Sequence, residues 1–335
     1  MDGQAQTADG ASAGVALRDQ SRGDFRAAVL DGLSRPQKAI PSRYFYDERG
    51  SALFDRICTL DEYYPTRTEI GILEACCGEI GRMLPSATAV IEMGSGSSRK
   101  VKPLLDALKT PCAYVPVDIS REHLIASARA LARQYPQLTV IPVWSDFAKA
   151  FSMPALPAQS RLIFFPGSTI GNFTPEAAVF LLAGWSRHIG LGGHLIIGVD
   201  LKKDPRTLQA AYDDSAGVTA AFNLNLLARA NRELGATFDL DAFTHRAVYN
   251  ADEGRVEMHL VSSDAQRVCV DDHSFTFAAG ESIHTENSYK YSIEEFRDLA
   301  RAAGYRSLAV FTDSATLFSV HVLQVRKLRI GEAAP

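Results

Sequence analysis

The chain has 335 residues, 46% hydrophobic and 22% charged, which predicts about two globular domains at roughly 150 residues each and ample length for a core. With 35 Lys and Arg against 39 Asp and Glu, the formal charge of -4 lacks the positive excess that neutralises phosphates, so no nucleic-acid partner is expected. No apolar run reaches the roughly 18 residues of a membrane span. Cys58, Cys76, Cys77, Cys112 and Cys269 have neither disulfide-framework nor zinc-ligand spacing and read as reduced thiols of a cytoplasmic protein, with neighbours Cys76 and Cys77 as packing residues on one helix.

Met1 to Gly23, rich in Ala, Gly, Gln, Ser and Asp, has no basic segment followed by an apolar one and reads as a disordered tail. From Asp24 to Leu33 the apolar residues Phe25, Val29, Leu30 and Leu33 fall at helical spacing. A short helix is predicted over Ser51 to Leu60. Another runs to about Leu84, opened by a capping box in which Thr66 and Glu69 satisfy nearby backbone N–H groups. Strand-like runs then alternate with helical stretches. The strands are Ala87 to Met93, Ala113 to Val117, Thr139 to Val143, Leu162 to Phe165 and His194 to Val199, and the helices Lys100 to Leu108, Ser120 to Tyr135 and Pro175 to Ile189. This alternation predicts βαβ units on a parallel sheet, with the ligand at the C-terminal strand ends. From Pro205 one long helical pattern passes Tyr212 and reaches about Leu234, and strands are expected at Arg255 to Ser262 and Ser282 to Tyr289. Ser292 and Glu295 form a second capping box, Gly304 can end that helix, and Leu308 to Thr312 with Leu317 to Val325 form an antiparallel hairpin at one sheet edge.

The sharpest local signal is Glu92-Met93-Gly94-Ser95-Gly96, directly after the first strand of the alternating region. Its glycines let a backbone turn pass close to a ligand, while the following helix offers free N–H groups. Arg99 stands where a third glycine completes a dinucleotide fingerprint, and no Gly-Lys-Ser/Thr follows, which disfavours NAD and ATP. Asp118 ends the second strand and can accept bonds from two ribose hydroxyls; taken alone it also suits a turn before Ser120. Asp146 and Phe147 add a carboxylate for an exocyclic amine and a ring for adenine. Together these features, at successive strand ends, favour S-adenosylmethionine.

Five motifs make a resemblance specific: Tyr44-Phe45-Tyr46-Asp47, Glu62 to Glu69, Glu92 to Gly96, Gly167-Ser168-Thr169-Ile170-Gly171-Asn172-Phe173 and Thr285-Glu286-Asn287-Ser288. In order, from about Asp24 to Val325, the chain resembles the L-histidine Nα-methyltransferases of ergothioneine biosynthesis. The resemblance implies an α/β class I methyltransferase with a Rossmann-like sheet over 69–204 plus 287–327. An inserted α+β substrate-binding domain would comprise 24–68 plus 205–286. It implies trimethylation of L-histidine to hercynine. Gly94, Lys100, Asp118, Asp146 and Phe147 would bind S-adenosylmethionine. Tyr63, Asn172 and Tyr212 would hold the amino-acid end of histidine, with Tyr46 near the amine, and Asn172 and Tyr46 would be the catalytic pair. Glu286 and Ser288 would recognise the imidazole, and Met258 would line the pocket.

Residue chemistry agrees with that assignment. Glu286 and Ser288, two apart on a strand, point to one face. A carboxylate accepting one imidazole N–H and a hydroxyl meeting the other ring nitrogen distinguish histidine from apolar amino acids. The rival readings are an N-methyltransferase of another amino acid, such as a tryptophan derivative, and a noncatalytic S-adenosylmethionine-binding module. The eight histidines show no metal-ligand motif, so no metal is expected, and the protein is predicted to be a monomer.

Overall fold

Helix α1 (23–33) is followed by the short strand β1 (Lys38–Ala39), a 3-10 turn at Ser42–Phe45, and helices α2 (Glu48–Ile57) and α3 (Tyr64–Met83). The computed structural model describes residues 23–149, 151–156 and 160–328, so the predicted tail through Arg22 lies outside the described residues. Next come β2 (Thr88–Met93), α4 (Lys102–Ala107), β3 (Ala113–Asp118), α5 (Arg121–Gln134), β4 (Thr139–Val140), β5 (Val143–Trp144) and β6 (Ser160–Phe165). A 3-10 turn at Thr169–Asn172 leads to α6 (Pro175–Ile189), β7 (His194–Asp200), α7 (Pro205–Ala210) and α8 (Val218–Leu234). Strands β8 (Phe243–Asn250), β9 (Arg255–Ser262), β10 (Gln266–Val270), β11 (His273–Phe277) and β12 (Ser282–Tyr289) precede α9 (Ile293–Ala302), β13 (Tyr305–Thr312) and β14 (Phe318–Val325).

The central sheet has eight strands in the order β13-β14-β7-β6-β2-β3-β4, with β5 also pairing β3. All pairs are parallel except those made by β14, which runs antiparallel between β7 and β13. Side-chain alternation on the central strands builds two cores at once. Ile91, Val115 and Ile163 pack with α6 and α9 on one face, while Val90, Tyr114 and Leu162 pack with α3 and α4 on the other. The strand order reverses beside β2, so a crevice opens at its C-terminal end. A separate core joins α1, α2 and α8 to a second sheet of order β1-β12-β9-β8 and to the β10–β11 hairpin.

Three expectations are corrected. Helix α2 starts at Glu48 because Asp47 accepts a bond from the Gly50 N–H at 2.7 Å, three residues before the predicted start. The Thr66–Glu69 capping box does not form: α3 begins at Tyr64 with Tyr63 as its N-cap, and Glu69 is drawn into the interior instead. The long helix from Pro205 is two helices, since Gly217 adopts φ 69° and Asp214 caps α8 through the Val218 and Thr219 N–H groups. The Ser292–Glu295 capping box and the edge hairpin are present as expected.

Candidate active site

Two cavities meet between the sheets. The first lies at the C-terminal ends of β2 and β3 and is lined by Gly94, Gly96, Asp118, His123, Asp146 and Phe147. Gly94 has φ 68°, and a Cβ there would sit 3.3 Å from the Phe147 ring, so this glycine keeps a cradle open that any side chain would fill. Asp118 accepts the Gly96 N–H at 3.0 Å and the Ser120 N–H at 2.9 Å, tying the glycine turn to the strand end and leaving lone pairs for a ligand. Asp146 accepts the Ala148 N–H at 2.9 Å, which sets the turn that presents Phe147. The Phe147 ring is steadied edge-on by Phe165 and Trp185. An acidic pair, an aromatic face and a glycine cradle fit the hydroxyls, amine and adenine of S-adenosylmethionine.

Lys100 does not line this cavity. Its ammonium pairs with Glu69 at 2.8 Å, beside Gly167, whose N–H Glu69 also accepts. Glu69 is fully buried and its carboxylate occupies the space beside Gly198, where a Cβ would lie 2.0 Å from Oε1. Glu69→Ala leaves the Lys100 ammonium unpaired and is expected to destabilise the fold by about 3–5 kcal/mol, measured by urea unfolding.

The second cavity is lined by Tyr46, Tyr63, Asn172, Tyr212, Met258, Glu286 and Ser288, bringing together the whole set expected at the amino-acid site. A β-bulge between His284 and Glu286 does this locally. His284 pairs with His259 and Glu286 with Met258, so the extra residue turns Glu286 and Ser288 inward with Met258. The two cavities share Tyr46, Phe54, Thr169 and Asn172, so a group held in one faces the other across these side chains. Asn172 reaches this wall because Gly167 (φ 84°) and Ser168 (φ 57°) turn the chain sharply after β6.

Electrostatics distinguish the groups here. Burial pushes the Glu286 carboxyl up to about 7 against the pull of the Lys290 ammonium. Burial likewise raises the Tyr46, Tyr63 and Tyr212 phenols, so all three remain neutral hydroxyls and Tyr46 is no phenolate base. Behind Ser288 and Tyr212 lies a charged network that sequence reasoning missed. Lys290 contacts Asp200 at 2.8 Å, Asp200 accepts from Tyr64 at 2.8 and 2.9 Å, and Lys203 donates to both Asp200 and Tyr64 at 2.6 Å. Burial opposes the Asp200 charge, yet Lys290 and Lys203 hold its carboxyl below the usual range. The signal for Lys290 was present: Glu286, Ser288 and Lys290 continue one period-two series.

Sequence reading also missed a cluster of possible metal ligands, Glu257, His259 and His284, whose atoms lie within 4.8 Å of one another. They already engage protein groups: Glu257 accepts from Arg255 and Asn250, His259 contacts Glu257, and His284 contacts the Glu286 carbonyl. All five cysteines are free thiols, and Cys77 packs beneath the central sheet with Cys76 at its margin. No helix among the described residues is long and apolar enough to cross a membrane.

A mainly parallel sheet reversing at a glycine turn, with a cofactor cradle that shares a wall with a second cavity lined by three tyrosines, Asn172, Glu286 and Ser288, defines a class I methyltransferase architecture. The chain belongs to the family described as histidine-specific methyltransferase, SAM-dependent, which matches residues 25–325. It is 41% identical over 308 residues to the histidine N-alpha-methyltransferase of Mycolicibacterium smegmatis, covering 90% of this chain and 95% of that protein. Ergothioneine biosynthesis protein 1 of Neurospora crassa is 32% identical over 84% of this chain and 33% of its own length. The N-methyltransferase imqF of Aspergillus flavus is 28% identical, covering 91% of this chain and 86% of its own.

Proposed function

We propose that the protein transfers three methyl groups in succession from S-adenosylmethionine to the α-amino nitrogen of L-histidine, yielding hercynine in the first step of ergothioneine biosynthesis. The observation that carries this reading is the shared wall of the two cavities, where Asn172 and Tyr46 stand between the cofactor cradle and a pocket ending in Glu286 and Ser288.

When bound, S-adenosylmethionine supplies a methyl group activated by its sulfonium, so the departing thioether needs no acid. The chain's work is then to align the amine and admit it unprotonated. Tyr63, Tyr212 and Asn172 grip the carboxylate and amine, and Asn172 directs the nitrogen lone pair toward the cofactor side. Tyr46, neutral at working pH, accepts or relays a proton only as a hydroxyl. Glu286 accepts an imidazole N–H, and Ser288 meets the second ring nitrogen. Lys100, paired with Glu69, sits beside Gly167 in the wall of the amino-acid cavity and braces that wall rather than lining the cofactor cradle.

Residues 69–204 with 287–327 supply most of the cofactor cradle, and 24–68 with 205–286 most of the histidine pocket, which Asn172 and Ser288 of the first module complete. Mass spectrometry of histidine incubated with the protein and S-adenosylmethionine tests cofactor, substrate and extent together. The expected products carry one, two and three added methyl groups; methylation of tryptophan but not histidine overturns the substrate reading. Glu286 and Ser288 disfavour that outcome, because an indole leaves both without partners.

The formal charge of -4 and the lack of a metal-ligand motif in the sequence support an enzyme that acts on a small molecule without nucleic acid or metal. Activity is expected to persist after exhaustive chelation. A loss restored by one divalent ion would contradict that and direct attention to Glu257, His259 and His284.

A further inference from the structure

We propose that Lys290 is a positioning residue for histidine recognition, locking the Ser288 and Tyr212 hydroxyls into a pair that offers the cavity a single proton. The inference rests on the histidine reading above and adds a residue that contacts no substrate.

The argument is a count of protons. A lysine ammonium has three N–H donors and no acceptor. Lys290 is buried at the end of β12, and its three donors meet Asp200 Oδ2 at 2.8 Å, Tyr212 Oη at 2.9 Å and Ser288 Oγ at 2.8 Å. Toward both hydroxyls it can only donate, so each gives up a lone pair. Tyr212 and Ser288 are themselves 2.7 Å apart, close enough to share one further hydrogen bond. The pair owns two O–H protons and four lone pairs; Lys290 occupies two lone pairs and the bond between the oxygens uses one proton and one lone pair, so a single proton is left, with one lone pair on the other oxygen. At this end the pocket therefore presents a donor. Two residues back from Ser288 on the same strand face, Glu286 presents an acceptor when ionised.

A ligand satisfying both must donate to Glu286 and accept from the hydroxyl pair, as a neutral imidazole ring does. Asp200 keeps the arrangement in place. Burial alone lowers the affinity of Lys290 for its proton, but Asp200 and Tyr212 reverse this and keep the ammonium charged. Asp200 in turn is fixed by Tyr64, by Lys203 and by the bond from its own N–H to Ser168 Oγ at 2.9 Å. Without Lys290, both hydroxyls are free to accept or donate, and Ser288 no longer discriminates.

The test is a double-mutant cycle on histidine KM, kcat and S-adenosylmethionine affinity with Ser288→Ala, Lys290→Met and the double variant. Ser288→Ala and Lys290→Met are each expected to raise the histidine KM about tenfold or more, with cofactor affinity within about twofold of the parent. In the Lys290→Met background, adding Ser288→Ala is expected to change KM by less than about twofold, because the orientation that gave Ser288 its value is already lost. Multiplicative effects overturn the proposal while leaving the Ser288 contact intact. An unchanged KM in Ser288→Ala alone overturns the ring contact and the proposal together. If Lys290→Met abolishes cofactor binding and so fails to fold, the same cycle is run with Asp200→Asn added to remove the stranded carboxylate, and the same two outcomes decide.

Discussion

Replacing Glu286 with alanine is expected to raise the histidine KM by about one to two orders of magnitude, the kinetic equivalent of about 1.5–3 kcal/mol for a hydrogen bond to a charged group. Cofactor affinity stays near the parent value, since Glu286 lines the amino-acid cavity and not the glycine cradle. The pH dependence carries the sharper signature. Burial raises the Glu286 carboxyl to about 7, so it is an acceptor above that pH and protonated below it. The kcat/KM for histidine is thus expected to fall as pH drops through about 7, and Glu286→Gln should remove that limb. Tyr46, Tyr63, Tyr212 and Lys290 face the same carboxyl, and none of the three phenols ionises in this range. The sign for stability is opposite. A carboxyl with a raised folded pKa stabilises the ligand-free fold below its ordinary value near 4.5, and that contribution disappears as pH rises to about 7. Histidine's ring N–H then meets a carboxylate that the free protein holds at a cost. Kinetics that keep the same limb in Glu286→Gln would reassign it to another group.

The second large effect is expected at Asp118. Asp118→Ala should weaken S-adenosylmethionine binding by at least about one to two orders of magnitude, because two ribose hydroxyls lose a charged acceptor worth about 1.5–3 kcal/mol per bond. The substitution also frees the Gly96 and Ser120 N–H groups, so part of the loss comes from the glycine turn relaxing. Asp118→Asn separates the contributions: its amide oxygen can still accept one backbone N–H but brings no charge. Calorimetry should place the Asp118→Asn variant between the parent and the alanine variant. Unchanged cofactor affinity in a folded Asp118→Ala protein excludes this carboxylate from the ribose.

Sequence patterning put Gly94, Asp118, Asp146 and Phe147 at one cradle because their elements are local, whereas Lys100 turned away to Glu69. Gly94 follows a strand and needs a positive φ, and Asp118 and Asp146 stand at the ends of the next segments, where a parallel sheet gathers its ligands. Glu286 and Ser288 were singled out by the family resemblance, a period of two only placing both on one face, and the bulge that aims them was not legible. Local patterning misread Glu69, since Thr66-Arg67-Thr68-Glu69 satisfies a capping rule that Pro65 and the earlier helix start displace. It also ran one helix through Tyr212, because apolar spacing persists across the turn that Asp214 and Gly217 impose. The β10–β11 hairpin escaped notice too, its tight turn at Asp271 being marked by φ 50° and no glycine.

The alternation of strands and helices, the glycine turn and the order of acidic strand ends are therefore written in the chain itself, since all follow from backbone preference and side-chain period within a few residues. Which charges meet was decided only on folding. Tyr64 and Asp200 are 136 positions apart and Gly167 is 98 from Glu69, yet each pair is hydrogen-bonded in the interior. Buried ionic groups persist only with partners, and those partners are chosen by how the two sheets and their helices pack, which no local pattern encodes. The same packing joins the cofactor cradle to the amino-acid pocket at Asn172 and Tyr46 and seats Lys290 behind Ser288.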